Sequence, residues 1–342
     1  MNRVLYLASY MPKYREAFIN ELGKYVELNI IAAPPELGGH VPMVIGPDSN
    51  VTIDYCKNAS TTHIAFNIKA FRAALKKDWD VIICTYAPRS LDRWLVPFVS
   101  RKRLIWVGPI IDRRNTIIHR LIRRVLLSHS SGILTYHKAI AGQLRDESLK
   151  YPYIDSFNNS SCSISECAYL PFNNSQDQIN VLYVGRPQSR KGIDQLIEIS
   201  KNNKKVNLRL VGPGMPEWYA ITHPHYDNIS VYGAAFSGEL KEHMMWCHIV
   251  ATKGVGLLVV TAGQFRRPLL YSKSAHHGSE VNVAHESNQF CVDFDSANEM
   301  NSWFEWAVIH RKELEKAADR LFKLVTEEYT AEYAAQKVLR MI

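Results

Sequence analysis

Apolar positions along the chain fall into two successive series, each alternating strand-length apolar runs with segments of helical spacing. In the first series Val4-Leu5-Tyr6-Leu7-Ala8 reads as a strand, Phe18 to Tyr25 as a helix, and Leu28-Asn29-Ile30-Ile31-Ala32 as a strand closed by Pro34-Pro35. Ile64 to Lys77 is amphipathic, with Phe66, Ala70, Phe71, Ala74 and Leu75 on one side. Val81 to Thr85, Leu104 to Val107 and Gly132 to Thr135 are mainly apolar runs, two of them ending in threonine, as expected of parallel strands covered on both faces. Residues 155–161 and 173–177 are polar turn-formers that punctuate rather than pack. A second series then starts. It runs Val181 to Val184, a helix over 192–201, Asn207 to Val211, Ile229 to Tyr232, a helix near 239–246, and His248 to Thr252. Trp303 to Ile342 is mostly helical by spacing. The order predicts two doubly wound, Rossmann-like α/β domains in tandem, over residues 1–172 and 173–342.

Composition narrows the class without changing that picture. A chain of 342 residues with 46% apolar and 22% charged residues has the size of two ordinary soluble domains. Its six cysteines show no CxxC pair and no zinc spacing, and Cys84 lies in an apolar run where a thiol acts as a small hydrophobe. No apolar run approaches the ~18 residues that span a bilayer. The opening residues also lack the features of a signal peptide, so a cytoplasmic protein is expected and the sequons Asn58-Ala59-Ser60 and Asn228-Ile229-Ser230 carry no weight.

The net charge of +8 is unevenly placed: residues 1–150 hold 22 Lys/Arg against 12 Asp/Glu, and the remainder 19 against 21. This points to an anionic partner for the first half. The densest stretch, Arg89 to Arg124, has ten basic and two acidic residues and includes Arg101-Lys102-Arg103 and Arg113-Arg114. From Arg120 to Leu127 basic residues flank an apolar stripe at helical spacing. Two readings stand: a helix docked on anionic membrane, or a solvated basic face on a core-packed helix. No zinc-finger, RNP-type or basic-zipper pattern is present, and nucleic acid is not an expected partner.

In open α/β sheets ligands bind beyond the carboxyl ends of the strands. Three such places in the second half carry suitable residues. Val184-Gly185-Arg186-Pro187-Gln188-Ser189-Arg190-Lys191-Gly192 brings two cations to a helix start, which suits a diphosphate and equally describes a basic surface turn. Gly212-Pro213-Gly214 permits close backbone approach or a plain tight turn. Lys253-Gly254-Val255-Gly256-Leu257 precedes an apolar helix whose first N–H groups can meet a phosphate or a sugar hydroxyl, or simply start a buried helix. No GxGxxG follows either first strand, which argues against a nicotinamide-dependent dehydrogenase.

Taken together these residues resemble the retaining, GT-B, family-4 glycosyltransferases of bacterial surface-polysaccharide pathways. The family's GR-x4-KG loop is matched by Gly185-Arg186 and Lys191-Gly192, its glycine loop by Gly212-Pro213-Gly214, and its GxGL segment by Gly254-Val255-Gly256-Leu257. Pro268-Leu269-Leu270-Tyr271 is similar to its G-x-P run, with Arg267 in place of small residues. His277-Gly278-Ser279-Glu280 resembles its short acidic motif. In the first half Pro12-Lys13-Tyr14-Arg15 with Phe18 is similar to a P-x-YR-x2-F stretch, and Trp106-Val107-Gly108 to a W-x-G loop, of one branch. The chain departs from the family where two glutamates eight positions apart usually lie near the transferred sugar and the ribose; Lys253 and Thr261 stand there.

The resemblance implies a GT-B fold with two domains facing a central cleft and a final helix that packs back on the first domain. It also implies a nucleotide-diphosphate sugar donor on the second domain and a glycan or polyprenyl-diphosphate-linked acceptor on the first. Arg186 and Lys191 would stabilise charge on the leaving diphosphate. Gly185, Gly212, Gly214, Lys253, Gly254, Gly256, Leu257, Thr261 and Glu280 would line the donor site, and Tyr14, Arg15 and Gly108 the acceptor side. Transfer would need no metal or other cofactor and no protein nucleophile, and the enzyme would sit in the cytoplasm or on the inner face of the cytoplasmic membrane. His119, His129 and His137 lie in helical surroundings where a lone histidine is more often packed or solvated than catalytic. The competing expectations are a sugar-nucleotide 2-epimerase on the same frame and a non-catalytic sugar-nucleotide binder.

Overall fold

The computed structural model describes all residues except 35–40, 57–58, 61–64, 88–89, 101, 112–115, 148–152 and 173–176. Pro35, Asn58, Ile64, Arg89, Arg101, Arg113-Arg114 and Asn173 to Gln176, all named above, therefore lie outside the described residues. The chain forms two compact units, Met1–Ile164 with Glu328–Ile342, and Ser165–Glu327. The sequence-derived boundary at Phe172 lies inside the second of these.

The first unit opens with β1 (Arg3–Tyr10), α1 (Glu16–Gly23), β2 (Glu27–Ala33), β3 (Val51–Tyr55) and the short β4 (Ala59–Ser60) and β5 (Ala65–Phe66). It continues with α2 (Ile68–Ala74), β6 (Val81–Thr85), α3 (Leu91–Val99), β7 (Arg103–Gly108), α4 (Ile117–Ser128), β8 (Gly132–Thr135), α5 (Lys138–Asp146) and β9 (Ile154–Ser156). Seven strands form one parallel sheet in the order β3-β2-β1-β6-β7-β8-β9. Because side chains alternate across a strand, each run feeds two cores. Val4, Tyr6, Ala8, Val81, Ile83, Ile105 and Val107 join Phe18, Ile19 and Leu22 of α1 in one core. Leu5, Leu7, Ile82, Cys84, Leu104 and Trp106 join Val96, Leu126 and Leu127 in the other.

The second unit runs β10 (Ile179–Val184), α6 (Ile193–Asn202), β11 (Val206–Val211), α7 (Met215–Thr222), β12 (Ile229–Tyr232), α8 (Ser237–Trp246) and β13 (Ile249–Thr252). Then follow α9 (Leu258–Gln264), β14 (Leu269–Ser272), α10 (Val281–Glu286), β15 (Phe290–Val292), α11 (Ala297–Ile309) and α12 (Arg311–Glu328). Its six-stranded parallel sheet has the order β12-β11-β10-β13-β14-β15. The last helix, α13 (Ala331–Leu339), belongs to the first unit, where Ala331, Ala334, Ala335 and Val338 complete the core around α1.

Two expectations are corrected. Residues 155–161 do not merely punctuate: Asp155 and Ser156 pair with β8, Phe157 enters the core, and Asn158, Asn159 and Ser160 are buried. A polar run can be buried when its amides and carbonyls find partners. Here Asn158 Nδ2 donates to the Glu328 carbonyl at 3.0 Å and Ala331 N–H to the Cys162 carbonyl at 2.8 Å. The second correction concerns the amphipathic segment expected from Ile64. Ala65 and Phe66 are in β5, and α2 starts at Ile68 behind Asn67, whose side chain accepts from Ala70 N–H at 2.9 Å.

The basic segment forms α4 as expected, with its apolar residues on both sides. Leu126 and Leu127 are core, whereas Ile117, Ile118, Leu121 and Val125 are exposed together with Arg120 and Arg124. Arg123 turns inward and pairs with Glu147. Among the described residues no helix is long and apolar enough to cross a membrane.

Candidate functional site

The second sheet reverses direction at β10: the chain passes from β10 to β11 to β12, then returns to place β13 on the other side of β10. Loops diverge at such a point and leave a crevice beyond the strand ends. The loop after β10 is Gly185 to Gly192 and the loop after β13 is Lys253 to Leu257, so the two longest sequence motifs flank the reversal.

Glycine is required at two places here. A Cβ on Gly212 would lie 1.9 Å from the Gly185 carbonyl oxygen, so the loops after β10 and β11 can pass only without one. Gly192, at φ +80°, would bring a Cβ to 2.7 Å from Lys253 Cβ and 2.8 Å from the Phe294 ring. At the start of the loop after β10 the Tyr183 hydroxyl donates to the Arg186 carbonyl at 2.7 Å, which ties the loop to its own strand. Burial pushes the Tyr183 phenol well above its usual pKa, so it stays a donor. The Arg186 side chain is exposed and forms no ion pair among the described residues. A short 3₁₀ turn, Ser189–Lys191, then leads through Gly192 into the ten-residue α6.

Lys191 joins the two loops. Its carbonyl accepts from Lys253 N–H at 2.7 Å, and its ammonium donates to the Gly254 carbonyl at 2.8 Å. Side chains at Gly254 or Gly256 would begin 3.9 and 3.8 Å from that ammonium. Leu257 is the residue before α9, at its N-cap. The segment after β14 is fastened to the same loop: Val255 N–H donates to His277 Nδ1 at 3.2 Å, and Gly278 N–H to the Val255 carbonyl at 2.9 Å. Glu280 follows directly, close enough that a Cβ on Gly278 would meet its Oε2 at 2.5 Å. Gly185, Arg186, Lys191, Gly212, Gly254, Gly256 and Glu280 thus belong to neighbouring loops on one edge of this sheet.

Three expected residues have other attachments. The Lys253 ammonium forms a salt bridge with the Asp295 carboxylate, which neutralises it. Thr261, one turn into α9, points its hydroxyl at its own helix, 3.4 Å from the Leu257 carbonyl. Gly214, at φ +70°, has open space where a side chain would go and serves the turn into α7. Sequence reading missed the roles of His277 and Asp295. Nothing in the charge pattern marks Asp295, while His277 stood inside a motif noted only for its glutamate.

Arg267, set where the resembled family has small residues, is a structural tie. It is 1% exposed and donates to the carbonyls of Met244 (2.6 Å), Arg266 (2.8 Å) and Pro171 (3.0 Å).

On the first unit, Tyr14 and Arg15 line one cavity of about 140 Å³ together with Ser9, Thr85 and Tyr136. Gly108 ends β7 at φ +137° and is not among its lining residues. His137 caps α5, its Nδ1 accepting from Ala139 N–H at 3.0 Å. Among the described residues no cluster of three His, Cys, Asp or Glu is placed to hold a metal ion.

No family model matches this chain, and no curated protein matches it in sequence. Solved structures do match over nearly its whole length. Anabaena Alr3699/HepE in complex with UDP aligns over 99% of both chains with a TM-score of 0.71 at 14% identity. Thermosynechococcus elongatus sucrose-phosphate synthase aligns over 99% of this chain and 98% of its own, with a TM-score of 0.69 and 14% identity. A Listeria monocytogenes protein designated a UDP-N-acetylglucosamine 2-epimerase covers 98% and 94%, with a TM-score of 0.60 and 14% identity. At these identities the similarity establishes the fold, which is α/β and GT-B with two tandem Rossmann-like domains.

Proposed function

We propose that the chain is a glycosyltransferase that moves a sugar, with retention, from a nucleotide-diphosphate donor to a glycan or polyprenyl-diphosphate-linked acceptor in bacterial surface-polysaccharide synthesis. The observation that carries this reading is the joining of Lys191 to the Gly254–Gly256 loop at the reversal of the second sheet, with Arg186 exposed on the same loop. A diphosphate seated there meets two cations, the start of α6 and the N–H groups of a glycine-bearing turn. UDP, bound in the HepE complex, is the first nucleotide to test.

The chemistry follows from the leaving group. As the anomeric C–O bond breaks, negative charge grows on the outer phosphate, and Arg186 and Lys191 are assigned to stabilise it. The acceptor hydroxyl attacks from the same face and its proton passes to the departing phosphate, so no protein nucleophile or metal ion enters. Lys253, neutralised by Asp295, and Thr261 replace the glutamates of the resembled family; their assigned role is to contact donor sugar and ribose by hydrogen bonds rather than as carboxylates. Arg186→Ala and Lys191→Ala are each expected to lower release of nucleoside diphosphate by about 10²–10³-fold while melting as the wild type does; wild-type turnover in either would remove that residue from the site. Chelation by EDTA is expected to leave the rate unchanged.

The Listeria neighbour favours a second reading, a 2-epimerase. Nucleoside diphosphate released only when acceptor is present separates transfer from epimerisation. Nucleotide-sugar binding without turnover on any glycan lipid would favour a non-catalytic binder.

The reading extends to anionic membrane on the cytoplasmic side. Exposed Ile117, Ile118, Leu121 and Val125 share the outer face of α4 with Arg120 and Arg124. The rings of Phe98 and His129 lie 4.6 Å apart and bring exposed Leu95, Phe98 and Val99 of α3 beside them. Apolar side chains would enter the headgroup boundary while each arginine contributes about 1 kcal/mol at the surface. Sedimentation with phosphatidylglycerol vesicles at low salt, lost in Leu121→Glu, is the expected result; no sedimentation by the wild type would end this part of the proposal.

A further inference from the structure

The first sheet also reverses, between β1 and β6, because β2 and β3 lie on one side of β1 and β6 lies on the other. The cavity of about 140 Å³ sits at that reversal, lined by the carboxyl end of β1, by Thr85 at the end of β6 and by Tyr136 just after β8. The register between β1 and β2 slips between Leu7 and Tyr10, the stretch whose Ala8 and Ser9 line the cavity. Such irregularities commonly re-aim side chains beside binding sites.

Arg15 lines this cavity and is only 6% exposed. Its guanidinium donates to the Tyr136 hydroxyl and lies 4.9 Å from the Tyr136 ring and 5.8 Å from the Tyr14 and Phe157 rings. Among the described residues no carboxylate is within ion-pair distance of it. Neighbouring charges cancel among themselves: Lys13 pairs with Glu16 at 2.7 Å, and buried Arg93 lies 4.0 Å from Asp92. Arg93 also donates to Ser9 Oγ at 3.0 Å and to the Thr85 carbonyl at 3.1 Å, which fixes two of the lining residues. Since Ser9 Oγ accepts there, its own hydrogen is left to donate. Among the described residues the cavity therefore presents one positive charge not paired with a carboxylate, and the Ser9 hydroxyl as a donor. Ring faces offset only part of the cost of burying a guanidinium. A planar fork of N–H groups is best completed by an oxyanion.

We infer that this cavity binds one oxyanion group, phosphoryl or carboxylate, carried by the acceptor. The link to an acceptor rests on the transferase reading; the anion site itself does not. In the bound state two guanidinium N–H groups meet two oxygens of the anion, with Ser9 Oγ donating to the remainder.

Calorimetry on the intact protein tests this with inorganic phosphate and methyl glucuronide as separate probes and UDP as an independent readout. The wild type is expected to bind at least one of the two anions, and which one identifies a phosphorylated or a carboxylated acceptor. Arg15→Met is expected to lose at least about 10-fold in that affinity while binding UDP as before, and Arg186→Ala to show the reverse. Anion binding unchanged in Arg15→Met, or absent from the wild type for both probes, overturns the inference. Failure of the wild type to bind UDP would instead sink the donor assignment and leave the cavity test standing. Should Arg15→Met not fold, crystals of the wild type soaked in tungstate give the answer: anomalous density against Arg15 supports the site, and density only elsewhere overturns it.

Discussion

The two sheets share a reversal of strand order, yet the loops at the two reversals are built from different materials. In the second unit the edge is mostly backbone: glycines at 185, 192, 212, 254 and 256, a carbonyl that anchors Lys191, and two exposed arginines, Arg186 and Arg190. In the first unit it is mostly side chain: tyrosines, a serine and a guanidinium that is almost entirely buried. Backbone loops with cations on flexible stems can follow a ligand whose charge changes during reaction. A buried, ring-packed arginine holds one position and suits a group that must only be located. The same topology thus separates a place fitted for chemistry from a place fitted for recognition.

The largest expected effect tests the first half of that contrast. Lys191→Ala removes both a cation and the tie to the Gly254 carbonyl, and turnover is expected to fall by about 10²–10³-fold, the usual loss for one charge-stabilising donor. Steady-state release of nucleoside diphosphate measures it. Arg15→Met, by contrast, should act on the acceptor KM with kcat retained at saturating acceptor. If both variants lost kcat alone, the separation of the two edges would collapse.

Burial of an arginine is not by itself the mark of a site, and Arg267 is the control. Like Arg15 it is almost wholly enclosed, and burial lowers its pKa from the usual arginine range. Unlike Arg15 its N–H groups meet several main-chain carbonyls. Arg267→Met would take the guanidinium donors away from those oxygens, at a cost of about 1–3 kcal/mol for each one left unsatisfied. Chemical denaturation is expected to show that loss, with anion binding to the first unit unaltered. A stable Arg267→Met variant would mean that carbonyl pairing does not explain such burial.

A smaller effect is expected from crowding the crossing of the loops after β10 and β11. Gly212→Ala puts a methyl 1.9 Å from the Gly185 carbonyl, and the main chain there must move. Overpacking of this kind costs about 1–3 kcal/mol, and UDP binding should weaken with it. Gly214→Ala meets nothing and carries only the strain of its positive φ, so it should retain UDP binding. Equal loss in both would make the glycine loop a turn without a ligand role.

Most of this architecture was legible in the sequence because parallel strands buried on both faces leave unbroken apolar runs. Val81–Thr85 and Gly132–Thr135 have the limits that hydrophobicity gives them. What escaped was short or polar. β9 holds Asp155 and Ser156, and β15 is only three residues, so neither shows a period. The burial of Asn158 could not be foreseen, since its side chain donates to the Glu328 carbonyl, 170 residues away. At the candidate site the sequence marked the loops through glycines and cations. It did not show that Lys253 meets Asp295 or that His277 holds Val255, because those pairs form only when separate strand ends are brought side by side.

The smallest effect separates the units by pH. In the second unit Arg266 pairs with Asp319 at 2.6 Å, and that hydrogen bond holds the Asp319 carboxyl below the usual range. A depressed carboxylate contributes stability that is present above its unfolded pKa, about 3.9, and lost as pH falls through the folded value. In the first unit Lys337 pairs with Asp155 at 3.0 Å; burial alone would lower the ammonium, yet the bond to Asp155 leaves it raised. Its contribution is complete below the unfolded value, about 10.4, and lost as pH rises through the folded one. The Asp319 side chain is 43% exposed, so solvent screening keeps its share below about 1 kcal/mol. Denaturant unfolding of Asp319→Asn should therefore approach wild-type stability as pH falls below about 3.9, and that of Lys337→Met as pH rises above about 10.4, each differing fully from wild type at pH 7. If instead both substitutions lost their effect at the same end of the pH range, at least one pair would have been assigned the wrong sign.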